Sequence, residues 1–187
     1  MELSTRHPEQ HPENPPAERA EIADALYRYA TGIDLHDRTL LESAFATDAT
    51  LDFTAPARGL ETTVPVLEGR RSIGEAVMAS VASLVSSHAV FNLRVTAYDG
   101  GHASSTALVE EHYFHRGGCT GHLVLMNVYA VDLRRESRRW LITRMTIENL
   151  WFSGDAAVLW VPSFLATRAA GPISLSDRRR AANLHAR

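Results

Sequence analysis

One cysteine, Cys119, stands in the whole chain. A single thiol excludes an internal disulfide and fits a reducing compartment. With no obvious partner, Cys119 reads as an inert side chain rather than a nucleophile. No apolar run reaches the roughly 20 residues that a membrane-spanning helix needs. A Gly-rich nucleotide loop, an internal repeat and a second domain are also missing. The net charge of −3 gives no electrostatic reason to expect nucleic acid as a partner. The N-terminal stretch, with His7-Pro8, His11-Pro12 and Pro15-Pro16, lacks the apolar segment of a secretory signal. These absences predict a soluble, cytoplasmic protein that meets neither nucleic acid nor membrane.

What is present suits one domain with tails: 187 residues, 45% of them hydrophobic and 22% charged. Residues 1–16, rich in Pro, Glu and His, read as a disordered tail. Residues 17–155 form the α+β domain, and residues 156–187 a partly ordered extension. Ile22, Leu26, Tyr29 and Ile33 recur at helical spacing, so a helix is expected over residues 17–33. Asp34 lies on the flank of that stripe, where it either looks into a cavity or N-caps the next helix. A second helix is expected over residues 39–45 and a short strand over 49–54. Residues 55–68, with Pro56, Gly59 and Pro65, read as a loop long enough to cover a pocket. A third helix follows, with Ile73, Val77, Val81 and Leu84 or Val85 as its stripe, and with Ser72 and Glu75 as a capping box.

From Ser86 the hydrophobic period changes to alternation, predicting four strands over residues 88–98, 103–116, 119–134 and 139–152. Turn signals at Asp99-Gly100-Gly101, Gly117-Gly118 and Glu136-Ser137-Arg138 make them an antiparallel meander with helices on one face. The exposed face of such a meander predicts a homodimer or homotrimer. Residues 156–166, with Trp160 and Phe164, either close the pocket or pack on a neighbouring subunit.

Three motifs carry a resemblance across most of residues 18–153. They are Tyr29-x4-Asp34-x2-Asp37 with Phe45-x2-Asp48-Ala49; Gly69-Arg70-x2-Ile73 with Ser87-His88-x3-Asn92-Leu93-Arg94-Val95; and Trp140-Leu141-Ile142-x-Arg144. In this order and spacing the chain resembles the SnoaL-like and scytalone dehydratase-like branch of the nuclear transport factor 2-like superfamily. The resemblance implies a cone-shaped α+β fold, with N-terminal helices on a curved antiparallel sheet. It also implies that Asp34 pairs with His88, as in the dehydratases and dehydrochlorinases of this kind. Histidine supplies a base of near-neutral pKa for a cofactor-free elimination. A buried carboxylate fixes its tautomer and stabilises the imidazolium. By the same resemblance Tyr29 and His112 assist catalysis, and Asn127 and Arg144 contact substrate. Phe53, which stands where scytalone dehydratase has a tyrosine, is expected to contact substrate with them.

The residues themselves leave alternatives. Strict alternation groups His88 with Val90, Asn92, Arg94 and Thr96, facing away from the core set Ala89, Phe91, Leu93 and Val95. A bulge near the strand start, or a sheet covered on both faces, would turn it inward. Tyr27 aligns better with Asp34 by helical spacing, whereas the resemblance favours Tyr29. His112 shares a face with Leu108, Glu110 and Phe114, and Asn127 with Leu123, Leu125, Tyr129 and Val131. Arg144 lies with Trp140, Ile142 and Thr146, where an ion pair to Glu148 is a sufficient structural role. His36, His102, His115 and His122 lack metal-ligand spacing, so no metal and no cofactor are expected. The favoured expectation is a cofactor-independent lyase or isomerase, dehydratase-like, acting on a hydrophobic small molecule. Its competitors are a non-catalytic binding module and a structural β subunit of a ring-hydroxylating dioxygenase.

Overall fold

Helix α1 (Pro16–Asp34) opens on a proline, whose missing N–H costs nothing in a first turn, with Glu18 beside it. Its buried stripe is the expected one, Ile22, Leu26, Tyr29 and Ile33. The structure is a computed structural model and describes residues 16–116 and 121–159. Residues 1–15 of the tail expected over 1–16, the turn at Gly117-Gly118, Cys119, and residues 160–187 of the extension, with Trp160 and Phe164, lie outside the described residues, whereas Pro16 belongs to α1.

Helix α1 is closed by a paired C-terminal motif. The His36 N–H donates to the Ile33 carbonyl and the Asp37 N–H to the Gly32 carbonyl, at 3.0 and 2.8 Å. His36 takes the left-handed conformation there, φ +53°, and its Nε2 lies 3.1 Å from the Leu84 carbonyl oxygen. Asp37, not Asp34, caps the next helix, α2 (Arg38–Glu42), by accepting the Leu40 N–H. Gly32 is required for this packing, because a Cβ would sit 2.5 Å from the Leu41 backbone nitrogen.

The remaining elements are β1 (Phe45–Asp52), α3 (Thr54–Gly59), β2 (Leu67–Glu68), α4 (Arg70–Val81), β3 (Leu84–Tyr98), β4 (His102–His115), β5 (His122–Glu136) and β6 (Arg139–Gly154), then a 3-10 turn, Ala156–Val158. The sheet order is β2-β1-β6-β5-β4-β3. Strands β3 to β6 form the expected meander. The sheet is nevertheless mixed rather than antiparallel, because β1 runs parallel to β6.

Several boundaries differ from expectation for identifiable reasons. Helix α2 stops at Glu42, and Phe45 is buried as the first residue of β1, opposite Ile142. The expected loop over residues 55–68 carries a short helix and a two-residue strand. Helix α4 is capped by Gly69 at φ +84°, which leaves Ser72 inside the helix and the capping box unformed. Leu84 belongs to β3 rather than to the helical stripe.

The core lies between the helices and the inner face of the sheet, with Trp140, Tyr129 and Phe45 as its largest fully buried side chains. The outer face leaves Phe91, Phe114 and Trp151 partly exposed. Among the described residues no helix is long and apolar enough to cross a membrane.

Candidate active site

Irregularity in β3 decides where His88 points. The register to β4 shifts between Phe91 and Arg94, and Asn92 adopts φ +51°. Residues beyond this bulge keep Leu93 and Val95 against the core, while before it Ser86, His88 and Val90 turn inward. The rescue that alternation required is therefore present, mid-strand rather than at the strand start. The His88 side chain is 1% exposed.

Asp34, the last residue of α1, meets His88 there. The His88 Nδ1 lies 2.6 Å from Asp34 Oδ1, and the His88 backbone N–H donates to Oδ2 at 2.8 Å. The Ser86 hydroxyl donates to Oδ1 at 2.9 Å. Burial pushes the Asp34 carboxyl up, but the hydrogen bonds and charge of His88, with the Ser86 bond, outweigh it and hold the pKa below its ordinary value. Because an ionised carboxylate only accepts, the ring proton sits on Nδ1 and the Nε2 lone pair is left free.

Past Nε2 lies a second carboxylate, Glu111 on β4, 2% exposed and 3.9 Å away. Three neutral donors converge on it. Asn127 Nδ2 and the Tyr129 hydroxyl each donate to Oε1 at 2.6 Å, and the Tyr113 hydroxyl donates to Oε2 at 2.8 Å. Asn149 supports the group by donating to Asn127 Oδ1 at 2.8 Å. The Tyr113 oxygen is also 3.3 Å from His88 Nε2, so a protonated ring has an acceptor in place. Burial first, and then the charge of Glu111, push the phenol pKa values of Tyr29, Tyr113 and Tyr129 up, so all three stay protonated in the fold.

These groups form the polar end of a cavity of about 100 Å³. His88, Glu111, Tyr113, Tyr129 and Tyr29 line that end; Ile33, Leu51, Phe53, Leu60, Pro65, Leu67, Val77 and Ile147 make an apolar wall. The segment between β1 and α4 covers the cavity, as its length suggested.

Of the sequence-predicted residues, Asp34, His88, Tyr29 and Phe53 come together at this cavity. Tyr29, not Tyr27, faces it; Tyr27 is 48% exposed. Asn127 is fully buried behind the cavity, where it holds Glu111 rather than lining the wall. His112 is off the site. It lies on the outer face of β4, bonded to Glu110 at 2.8 Å and beside His122 at 3.2 Å, because β4 turns Val109, Glu111 and Tyr113 inward. Arg144 is off the site too. Thr143 is the extra residue where the β5–β6 register slips, so Met145 and Ile147 face the core and Arg144 faces solvent. Its charge helps to hold down the nearby Asp52 carboxyl, after the hydrogen bonds from Thr54. Glu111 and Tyr113 escaped the sequence reading. Their signal was the alternation of Ala103, Ser105, Ala107, Val109, Glu111 and Tyr113 along β4.

Among the described residues no group of three or more His, Cys, Asp or Glu side chains is placed to hold a metal ion.

Known proteins share this arrangement of elements. The chain is 30% identical over 150 residues to the terrestric acid biosynthesis cluster protein E of Penicillium crustosum, covering 76% of this chain and 89% of that protein. A candidate aromatic ring hydroxylase from Novosphingobium aromaticivorans superposes with a TM-score of 0.69 at 25% identity, over 79% of this chain and 99% of that one. A hexachlorocyclohexane dehydrochlorinase from Novosphingobium barchaimii superposes with a TM-score of 0.62 at 20% identity, over 78% of this chain and 95% of that one. A SnoaL-like domain matches residues 16–146. Helices on a curved mixed sheet and this match over most of the chain make it a member of the SnoaL-like family, with the nuclear transport factor 2-like fold.

Proposed function

We propose that this protein is a cofactor-independent lyase or isomerase acting on an apolar small molecule, with His88 as the general base. The observation that carries the reading is the contact of the half-buried Asp34 with the buried His88, 2.6 Å apart, with the free Nε2 at the cavity. In the step envisaged, Nε2 takes a proton from a carbon beside a carbonyl. The imidazolium formed is flanked by Asp34 on one nitrogen and by Tyr113 and Glu111 on the other. It then returns the proton in one of two ways. Given to a departing hydroxyl, it releases water and leaves a new double bond. Given to another carbon of the same conjugated system, it completes an isomerisation. Neither course consumes a cofactor. All 19 basic residues are arginine, so the chain offers no lysine amine for a Schiff base.

The competing reading as a structural subunit would leave Asp34 and His88 without chemical work, and a passive binding module needs no base held in a fixed tautomer. The test is a panel of cyclic β-hydroxyketones, followed by the absorbance of the conjugated enone product. Wild-type protein is expected to accelerate at least one, and His88→Ala to lose about 10²–10⁴-fold of that rate. Undiminished turnover in His88→Ala would overturn the reading.

A further inference from the structure

Among the described residues, the buried Glu111 has no arginine within salt-bridge distance. Its three hydrogen-bond donors, Asn127, Tyr129 and Tyr113, are all neutral groups. The nearest group able to carry positive charge is His88, 3.9 Å away, and that ring is already bonded to Asp34 at 2.6 Å. One imidazolium at most faces two carboxylates. Among the described residues lining the cavity, none is an arginine. The polar end of the cavity therefore sets two carboxyl groups against a single imidazole, and its largely apolar wall leaves little water to screen a charge placed there.

We propose that Glu111 is a specificity-determining residue that excludes anions. A ligand whose entering end is a ketone, alcohol, amide or ester is accepted; one that ends in a free carboxylate or phosphate is rejected. The inference deepens the proposed function and rests on the cavity being the substrate site. A neutral carbonyl brought to Nε2 meets only the dipoles of Tyr113 and its neighbours. A carboxylate brought to the same point gives up its water to face Glu111, and no partner restores the loss. The three donors serve this role by fixing the Glu111 carboxyl at the polar end without bringing a counter-charge to it.

The test uses two probes of one shape that differ in charge, 2-naphthamide and 2-naphthoate, with binding to the full chain measured by ligand-observed NMR near neutral pH. Wild-type protein is expected to bind the amide at least about tenfold tighter than the carboxylate. In Glu111→Gln, which keeps the shape and one acceptor oxygen, the gap should shrink to about threefold or less, chiefly through tighter binding of the carboxylate. Tyr113→Phe removes a donor but not the charge and should keep the gap, which guards against a Glu111→Gln variant that fails to fold. His88→Ala should keep it as well, so failure of the catalytic reading and failure of this one are read separately. Equal binding of both probes to wild-type protein overturns the proposal. So does an unchanged gap in a folded Glu111→Gln variant, loss of the gap in Tyr113→Phe, or failure of the amide to bind at millimolar concentration.

Discussion

Glu110 and Glu111 are neighbours in the chain and opposites in the molecule. Glu111 points into the core side of β4 and is gripped by three neutral donors beside His88. Glu110 points to the other face, where its side chain is 35% exposed and bonds His112 at 2.8 Å. Each carboxylate thus has an imidazole for company. The buried pairing sits in a low-dielectric pocket where charge acts at full strength, whereas solvent screens the outer one. The comparison teaches that a carboxylate next to a histidine says little until the face of the strand is known.

The largest way to sharpen that contrast is at Asp34. Asp34→Asn removes the acceptor that fixes the His88 tautomer and should lower turnover by about 10²–10⁴-fold on any substrate found by the enone assay. It should also alter acid stability. Asp34 is half-buried, yet its bonds to His88 and Ser86 hold its carboxyl below the ordinary value of 3.8, so it stays ionised in the fold where the unfolded chain would bind a proton. Its contribution is complete above that value and is lost as pH falls through the lower, folded value. Urea midpoints measured from neutral pH into this acid range should lose this component in the Asn variant.

Next comes Glu111→Ala. It strips the acceptor from Asn127, Tyr129 and Tyr113 together, and leaving three buried donors unpaired should cost about 3 kcal/mol or more by denaturant unfolding. The smallest effects belong to the outer pair. Glu110→Ala and His112→Ala should each move stability by no more than about 0.5 kcal/mol and leave turnover unchanged. A large loss of activity in His112→Ala would break the comparison, since it would give the outer face a part in the chemistry.

Much of the site was legible because helices and turns declare themselves locally. The stripe from Ile22 to Ile33 placed Asp34 at a helix end, and the motif resemblance joined it to His88. What misled was alternation carried past a break. Counting by twos along β3 put His88 on the wrong face, because the bulge at Asn92 is a backbone event at a residue with no glycine to announce it. The same fault sent Arg144 inward, where an extra residue at Thr143 resets β6. On β4 no bulge intervened before Glu111; the choice lay between two plausible faces, and the one with Leu108 and Phe114 is the outer one.

The sequence by itself determined the succession of the longer helices and strands, the stripe of α1, the inward face of β5 and the meander of the last strands, because these follow from side-chain periodicity and turn chemistry. Only the tertiary structure decided that β1 pairs parallel with β6, that Tyr29 rather than Tyr27 lines the cavity, and that Glu111 completes the site. Those outcomes depend on register and on which groups become mutual neighbours when distant segments pack. A bulge of one residue, invisible to a period, exchanges the faces of everything beyond it.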